Sequence, residues 1–149
     1  MLKANVLCSI ATVTRGHRAH ISHVYFCYSE ELEFYFLSDP RSLHCRNLLT
    51  NPSMAMSVFS SSQPWDRPGR GMQLFGSCAE ASGLQAERAE QLYGKRFPKY
   101  AEYRSGLAKS AHRAFRYRFY RFVPRKVKIL DEGEFGGGVF VAATLRKPP

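Results

Sequence analysis

The sequence predicts a mainly β protein of one domain, built as a small antiparallel barrel with covering helices. Aromatic residues are abundant, with 11 Phe and 8 Tyr among 149 residues, and they form short runs with β-branched residues rather than helical stripes. Hairpin-like pairs of these runs recur, and helix-forming segments interrupt them at two places. This length suits a single core, so we assign residues 1–149 to one domain.

Three strands are predicted before the first helix. Residues 6–14 form an apolar run, residues 15–17 supply a Gly-containing turn, and residues 19–28 again favour extended backbone. The two runs therefore form a hairpin. Large apolar side chains recur at every second position of residues 32–38, which predicts a third antiparallel strand.

The middle of the chain is predicted to contain a short helix and two strands. Turn and helix-start residues at positions 39–42 precede the helix, and Asn51-Pro52 ends it. Strands at residues 54–60 and 72–82 follow. A Pro- and Gly-rich loop at residues 63–71 separates these strands and is long enough to be a binding element.

The last third of the chain returns from helices to strands. Residues 85–97 are rich in helix-forming side chains and stop at Pro98, and residues 100–113 continue as a second helix. We expect these two helices to cover one end of the barrel. Three strands are predicted after them, at residues 115–123, 126–130 and 139–145.

Charge and composition narrow the functional classes. Lys and Arg number 22 against 12 for Asp and Glu, and the net charge of +10 attracts nucleic acid, anionic lipid or phosphorylated ligands. The histidines form no helix-spaced metal motif, and Cys8, Cys27, Cys45 and Cys78 show no Cys-x-x-Cys spacing. We therefore predict no metal site. No Ser-His-Asp or Cys-His pattern marks a nucleophile, so catalytic residues are not assigned.

The beginning of the chain and its hydropathy bear on location. The first residues lack the basic segment, apolar stretch and cleavage site of a secretory signal. No run approaches the roughly 20 apolar residues that a membrane helix needs. We expect a cytoplasmic protein with free thiols and no membrane partner.

The most informative segment is residues 34–52, FYFLSDPRSLHCRNLLTNP, together with residues 57–59. It resembles the pyridoxamine 5′-phosphate oxidase family, in which an aromatic strand ends in Tyr-Thr and a Ser-x-Lys helix start leads through Leu to Asn-Pro and another strand. The preceding hairpin aligns as well, and the resemblance extends more loosely over residues 6–130. It implies a six-stranded antiparallel split β-barrel that holds FMN at a homodimer interface.

The helix start within this segment suits a phosphate group. A helix that begins near Ser42 directs free backbone N–H groups and its positive dipole end at an anion, and His44 and Arg46 add charge-assisted hydrogen bonds. By resemblance, His44 occupies the place of the family's phosphate-contacting Lys, Ser38 that of its Thr and Leu43 that of its first basic residue. The alternatives are that Ser42 is simply an N-cap and Arg46 an ordinary solvated charge.

The resemblance also places the body of the flavin along the second strand. It implies that four residues lie next to the ribityl chain and the pyrimidine edge: Ser22, His23, Val24 and Tyr25. Leu37, which precedes Ser38 at the end of the third strand, is also implied to contact the cofactor. Gln73 would approach the ring from the partner subunit, with a plain surface role as the alternative. The family's Arg and Lys of the second strand fall at Ser22 and Cys27, which are departures from its pattern.

The resemblance thus implies an FMN-dependent oxidoreductase that carries out two-electron redox of an unidentified small molecule, for which the basic charge favours an anion. Related barrels bind deazaflavin or haem, and His23 or His44 would then be the axial ligand. We rank these cofactors second. Residues 116–122 interleave cations and aromatic rings as nucleic-acid-binding modules do, but strand alternation leaves no face as a stacking platform, so we rank nucleic-acid binding last.

Overall fold

In the computed structural model, which describes residues 1–109 and 116–146, the strands form one antiparallel sheet. In chain order the elements are β1 (Leu7–Val13), β2 (Ala19–Tyr28), β3 (Phe34–Ser38), α1 (Leu43–Thr50), β4 (Ser53–Phe59), β5 (Arg70–Glu80), α2 (Leu84–Arg96), α3 (Pro98–Lys109), β6 (Arg118–Asp131), α4 (Glu132–Phe135) and β7 (Phe140–Thr144).

Six of the strands close into a barrel. Their order is β3-β2-β1-β4-β5-β6, and β6 returns to pair with β3, so that Phe34 lies opposite Phe122 and Ser38 opposite Arg118. β7 lies outside this ring and pairs with the second half of β6. The prediction of a six-stranded antiparallel split barrel is confirmed.

Strand alternation fills the inside of the barrel. β1 and β4 bury every second side chain, because one face of each strand is turned inward. The largest members of the core are at most 2% exposed and come from three strands: Phe26, Phe34, Phe36, Tyr120 and Phe122. α1 packs on β1, β2 and β5 and adds Cys45 and Leu48 to the same core.

The outer face of β2, β3 and β6 carries a second apolar cluster. Cys27, Tyr35 and Phe119 point outward there and are buried beneath Ala89 and Tyr93 of α2, and α3 packs on α2 in turn. The expectation that these helices cover an end of the barrel is wrong. They lie against its side, because adjacent strands present apolar residues on their outer faces at this place.

The last long strand was expected as two pieces, and this prediction is wrong as well. β6 runs without interruption through Pro124. Pro124 lies opposite Gly76 and Lys126 opposite Phe75, so Arg125 is an extra residue of β6, and a β-bulge of this kind tolerates a proline that has no N–H. Gly76 is required there, since a Cβ at this position would lie 2.1 Å from the carbonyl oxygen of Val123. Residues 110–115, which end the predicted second helix and begin the predicted strand, lie outside the described residues.

Within residues 1–109 and 116–146, no helix combines the length and the apolarity that spanning a lipid bilayer requires.

Candidate functional site

Three serine hydroxyl groups, one buried and two half-buried, surround the buried imidazole of His44 at the start of α1. Ser38 Oγ and Ser42 Oγ lie 2.7 Å and 3.1 Å from Nε2, and Ser22 Oγ lies 3.1 Å from Nδ1. His20 Nε2 lies 3.2 Å from the same Ser22 hydroxyl. A chain of hydrogen bonds therefore runs from His20 to Ser38, and we call these five residues the His44 cluster.

The turn between β3 and α1 brings the two ends of this cluster together. The N–H of Ser42 donates to the carbonyl of Asp39 at 2.9 Å, and the Asp39 carboxylate accepts the N–H of Arg41 at 3.0 Å. The same carboxylate forms ion pairs with Arg41 and Arg116. Its negative charge is therefore balanced by two guanidinium groups at the helix start.

The first turn of α1 has donors without acceptors. The Ser42 hydroxyl makes no cap hydrogen bond to the helix, and its oxygen lies instead near His44. In the part of the chain that the structure describes, no acceptor is found for the N–H groups of Leu43, His44 and Cys45, and the first bonded N–H is that of Arg46, to the Ser42 carbonyl at 3.1 Å. Such free donors and the helix dipole attract an anion.

Burial sets the charge state of His44. Desolvation, with a smaller contribution from His20, lowers the pKa of His44 below its usual value of 6.5. The two imidazole rings are stacked with centroids 6.5 Å apart and planes 11° from parallel. His44 is thus neutral at pH 7, with one ring nitrogen as donor and the other as acceptor, and the surrounding hydroxyls can adapt to either arrangement.

The β2 residues that were predicted to line the flavin point to opposite faces of the strand. Ser22 and Val24 point inward, and Val24 is buried in the core. His23 and Tyr25 point outward, where His23 Nδ1 lies 3.1 Å from Ser9 Oγ and the Tyr25 ring meets Phe97 edge-on. A ligand on one side of β2 can therefore contact only the two predicted side chains of that face.

The remaining predicted residues lie apart from the cluster. Leu37 packs against the apolar cluster beneath α2. Leu43 and Arg46 are exposed on α1 and line a groove of about 610 Å³ together with Arg15. Gln73 lies on the outer face of β5, in a shallow groove of about 280 Å³. The structure therefore brings together Ser22, Ser38, Ser42 and His44, and it separates Arg46 and Gln73 from them.

Sequence reasoning missed two residues. His20 stands two positions before Ser22 on β2, and strand alternation could have placed both on one face. Arg15 lies in the turn after β1, and no sequence signal connected it with α1.

Thiols and metal ligands add nothing to the site. Among the described residues, no group of three or more His, Cys, Asp or Glu side chains could hold a metal ion. The four cysteines are buried and free, and burial raises the pKa of both the Cys8 and the Cys27 thiol to about 12. These thiols are therefore poor nucleophiles.

Comparison with solved structures shows the same fold in several proteins. The heme binding protein from Mycobacterium smegmatis is 16% identical with a TM-score of 0.73 over 96% of this chain and 55% of that chain. HutZ, the heme storage protein from Vibrio cholerae, is 17% identical with a TM-score of 0.64 over 83% and 84%. A Clostridium acetobutylicum protein related to general stress protein 26, of the pyridoxinephosphate oxidase family, is 10% identical with a TM-score of 0.68 over 96% and 88%.

Sequence comparison decides the family. No curated protein sequence matches this chain. The family model for pyridoxamine 5′-phosphate oxidase matches residues 1–131, which is most of the chain. The barrel topology agrees with that match. The chain belongs to the pyridoxamine 5′-phosphate oxidase-like family.

Proposed function

We propose that this protein binds FMN, with the phosphate at the start of α1, and acts as a flavin-dependent oxidoreductase on a small, anionic molecule. The observation that supports this most is the set of free N–H groups on Leu43, His44 and Cys45 next to the Ser42 hydroxyl. Backbone donors at a helix start are a common binding site for a phosphate group.

The chemistry of the His44 cluster fits a phosphate monoester. The hydroxyls of Ser38 and Ser42 can rotate from His44 to a phosphate oxygen without backbone movement. A dianion near His44 would raise its pKa and favour the imidazolium, so that the ring becomes a charge-assisted donor. FMN would supply hydride and electron transfer through its isoalloxazine, while this chain would hold and orient it.

The proposal includes a homodimer. The outer faces of β1, β2, β4 and β5, which we call the uncovered wall, carry the exposed side chains of Ile21, Phe59 and Phe75 beside small residues such as Ala11 and Ala55. A second copy of the chain would bury this apolar surface. Gln73 lies within the wall, which supports its expected approach to the flavin of the other subunit.

Haem is the second candidate cofactor, because the solved structures named above include heme-binding and heme-storage proteins. Of the two candidate axial ligands, His23 is favoured by its position. It is exposed on the outer face of β2, its hydrogen bond to Ser9 uses Nδ1, and among the described residues no partner is found for Nε2. Both ring nitrogens of His44 already have hydroxyl partners.

The experiment is titration of the purified chain with FMN, a deazaflavin and haem, followed by visible spectra and binding isotherms. The double variant Ser42→Ala/His44→Ala should weaken FMN binding about a hundredfold or more, since each charge-assisted contact contributes about 1.5–3 kcal/mol. Ser82→Ala, at an exposed position between β5 and α2, is the matched control and should bind normally.

The thermal midpoint of each variant separates loss of a ligand contact from loss of the fold. Unchanged FMN affinity in a folded double variant would refute the phosphate site. Haem binding without FMN binding, with a haem absorption band lost in His23→Ala, would replace the proposed cofactor by haem.

A further inference from the structure

A groove of about 610 Å³ lies between α1 and the turn that joins β1 to β2. This volume falls within the range of about 300–1,000 Å³ that is typical of small-molecule pockets. One side is formed by Thr14, Arg15 and Gly16, and the other by residues on the solvent side of α1. The His44 cluster lies on the barrel side of the same helix, so the groove is a separate surface.

Two guanidinium groups give the groove its charge. Arg15 and Arg46 both line it, and no acidic side chain does. Among the described residues, neither has a carboxylate within ion-pair distance, whereas Arg41, Arg70 and Arg121 are each paired with one. Two unpaired positive charges facing one cavity produce a potential that attracts an anion.

Two leucines add apolar surface to the lining of the groove. Leu43 is 42% exposed and Leu49 is 76% exposed, and both lie at the groove. Helix positions that face solvent usually carry polar side chains, so two leucines there are unusual. Asn47 does not compete for a ligand, because its side chain is buried and donates to Thr12 Oγ1 at 3.0 Å.

We propose that this groove binds a small organic anion, a carboxylate or phosphate monoester attached to an apolar body. Arg15 and Arg46 bind the anionic group from opposite sides, and Leu43 and Leu49 contact the apolar body. Guanidinium groups suit this task, since they stay charged and can donate two parallel hydrogen bonds to a carboxylate or a phosphate. The site does not depend on FMN.

The test uses calorimetric titration of the full chain at low ionic strength with octanoate and with octyl phosphate. Octylamine carries the same apolar body with the opposite charge, and inorganic phosphate carries the anionic group alone. We expect saturable binding of both octyl anions and at least tenfold weaker binding of octylamine and of inorganic phosphate. Equal binding of octylamine, or no saturable binding of either octyl anion, would overturn the proposal.

Substitutions in the lining test whether the octyl anions bind in this groove. Arg15→Gln and Arg46→Gln should each weaken octanoate about three- to tenfold, and the double variant should weaken it more than tenfold, as expected for charge-assisted contacts in a half-open site. Leu49→Gln should weaken octanoate and leave inorganic phosphate unchanged. Arg125→Gln, at an exposed arginine of β6, is the control.

Circular dichroism confirms that each variant is folded before its affinity is compared. The same loss in Arg125→Gln as in Arg46→Gln would show that only net charge matters and would overturn the assignment to the groove. Full octanoate affinity in the double arginine variant would do so as well.

Discussion

The two walls of the barrel share the same strand alternation, but their outer faces differ. Beneath α2, Tyr35 and Phe119 are 0% and 6% exposed, whereas Ile21 and Phe75 on the uncovered wall are 64% and 39% exposed. Inside the barrel, the strands of both walls contribute side chains to one apolar core. Closure of the barrel is therefore enough to bury the inner face of each strand. Burial of the outer face depends on what packs on it, either a helix of the same chain or another molecule.

The wall beneath α2 is also held by polar contacts. Glu33 forms an ion pair with Arg121 across β3 and β6, and the Tyr35 hydroxyl donates to the Glu33 carboxylate at 2.8 Å. Burial, and then the contact with Glu33, raise the pKa of Tyr35 to about 12. Because the chain itself buries and pairs the side chains of this wall, we expect substitutions there to lower the free energy of unfolding more than substitutions on the uncovered wall.

The largest expected effect comes from aromatic truncation on each wall. Phe119→Ala should lower the free energy of unfolding by about 3–5 kcal/mol, because the ring packs against Tyr93 and Tyr100 at centroid distances of 5.5 Å and 6.1 Å. Phe75→Ala, made and compared in the Ile21→Glu variant so that the wall stays uncovered, should lower it by about 1 kcal/mol or less. Urea unfolding followed by circular dichroism measures both, and equal losses would contradict the distinction between the walls.

A smaller effect is expected at the strand pair that joins the walls. Gly76→Ala should destabilise the protein by about 1–3 kcal/mol, since the added Cβ has to displace the backbone of Val123 and Pro124. Gly71→Ala on the same strand is the control, because its Cβ would meet Phe59 at an ordinary 3.7 Å. If thermal melts show that Gly71→Ala is the less stable of the two variants, β6 shifts at the bulge and makes room for the Cβ of Gly76→Ala.

The next prediction concerns association and tests the proposed homodimer. Ile21→Glu should raise the dissociation constant of the dimer about tenfold or more, since it buries a charge in the interface. Leu84→Glu changes an 82% exposed residue of α2 and should leave the dimer intact. Sedimentation equilibrium measures both, and a monomeric parent chain or an intact Ile21→Glu dimer would count against the uncovered wall as the interface.

The smallest effect is a dependence of stability on pH. Because burial lowers the pKa of His44 in the folded chain, the unfolded chain binds this proton more tightly, and the free energy of unfolding should fall as pH drops below 6.5. In His44→Gln this part of the decrease should be absent. Urea unfolding between pH 7 and pH 5 measures it, and identical pH profiles for the two proteins would contradict the assignment.

Much of the fold could be predicted because period-2 alternation and turn residues are local signals. The predicted second strand agrees with β2 at both ends, and α1 lies where the residues before and after it place a helix. Pro124 misled the prediction, since the glycine that accommodates it lies on another strand. The prediction of where α2 packs on the barrel was also wrong, because strand alternation does not reveal which outer face a distant helix will cover.

The candidate site was predicted in part for similar reasons. The resemblance assigned Ser38, Ser42 and His44 to the phosphate and Ser22 to the body of the flavin, and in the structure these four side chains form one hydrogen-bonded group although they come from three segments of the chain. Arg46 was expected to add a charge-assisted hydrogen bond at the helix start, and the structure places its exposed side chain at the groove that Arg15 also lines.

The pairing of β3 with β6 has a consequence for the order of folding. It joins residues that are 80 to 88 positions apart, from Ser38 with Arg118 to Phe34 with Phe122, whereas β1 with β2 and β4 with β5 are neighbouring hairpins. Loop-closure entropy makes such a non-local contact the slowest to form, and high contact order lowers the folding rate. We therefore expect the wall beneath α2, which is the more tightly packed of the two when complete, to assemble last.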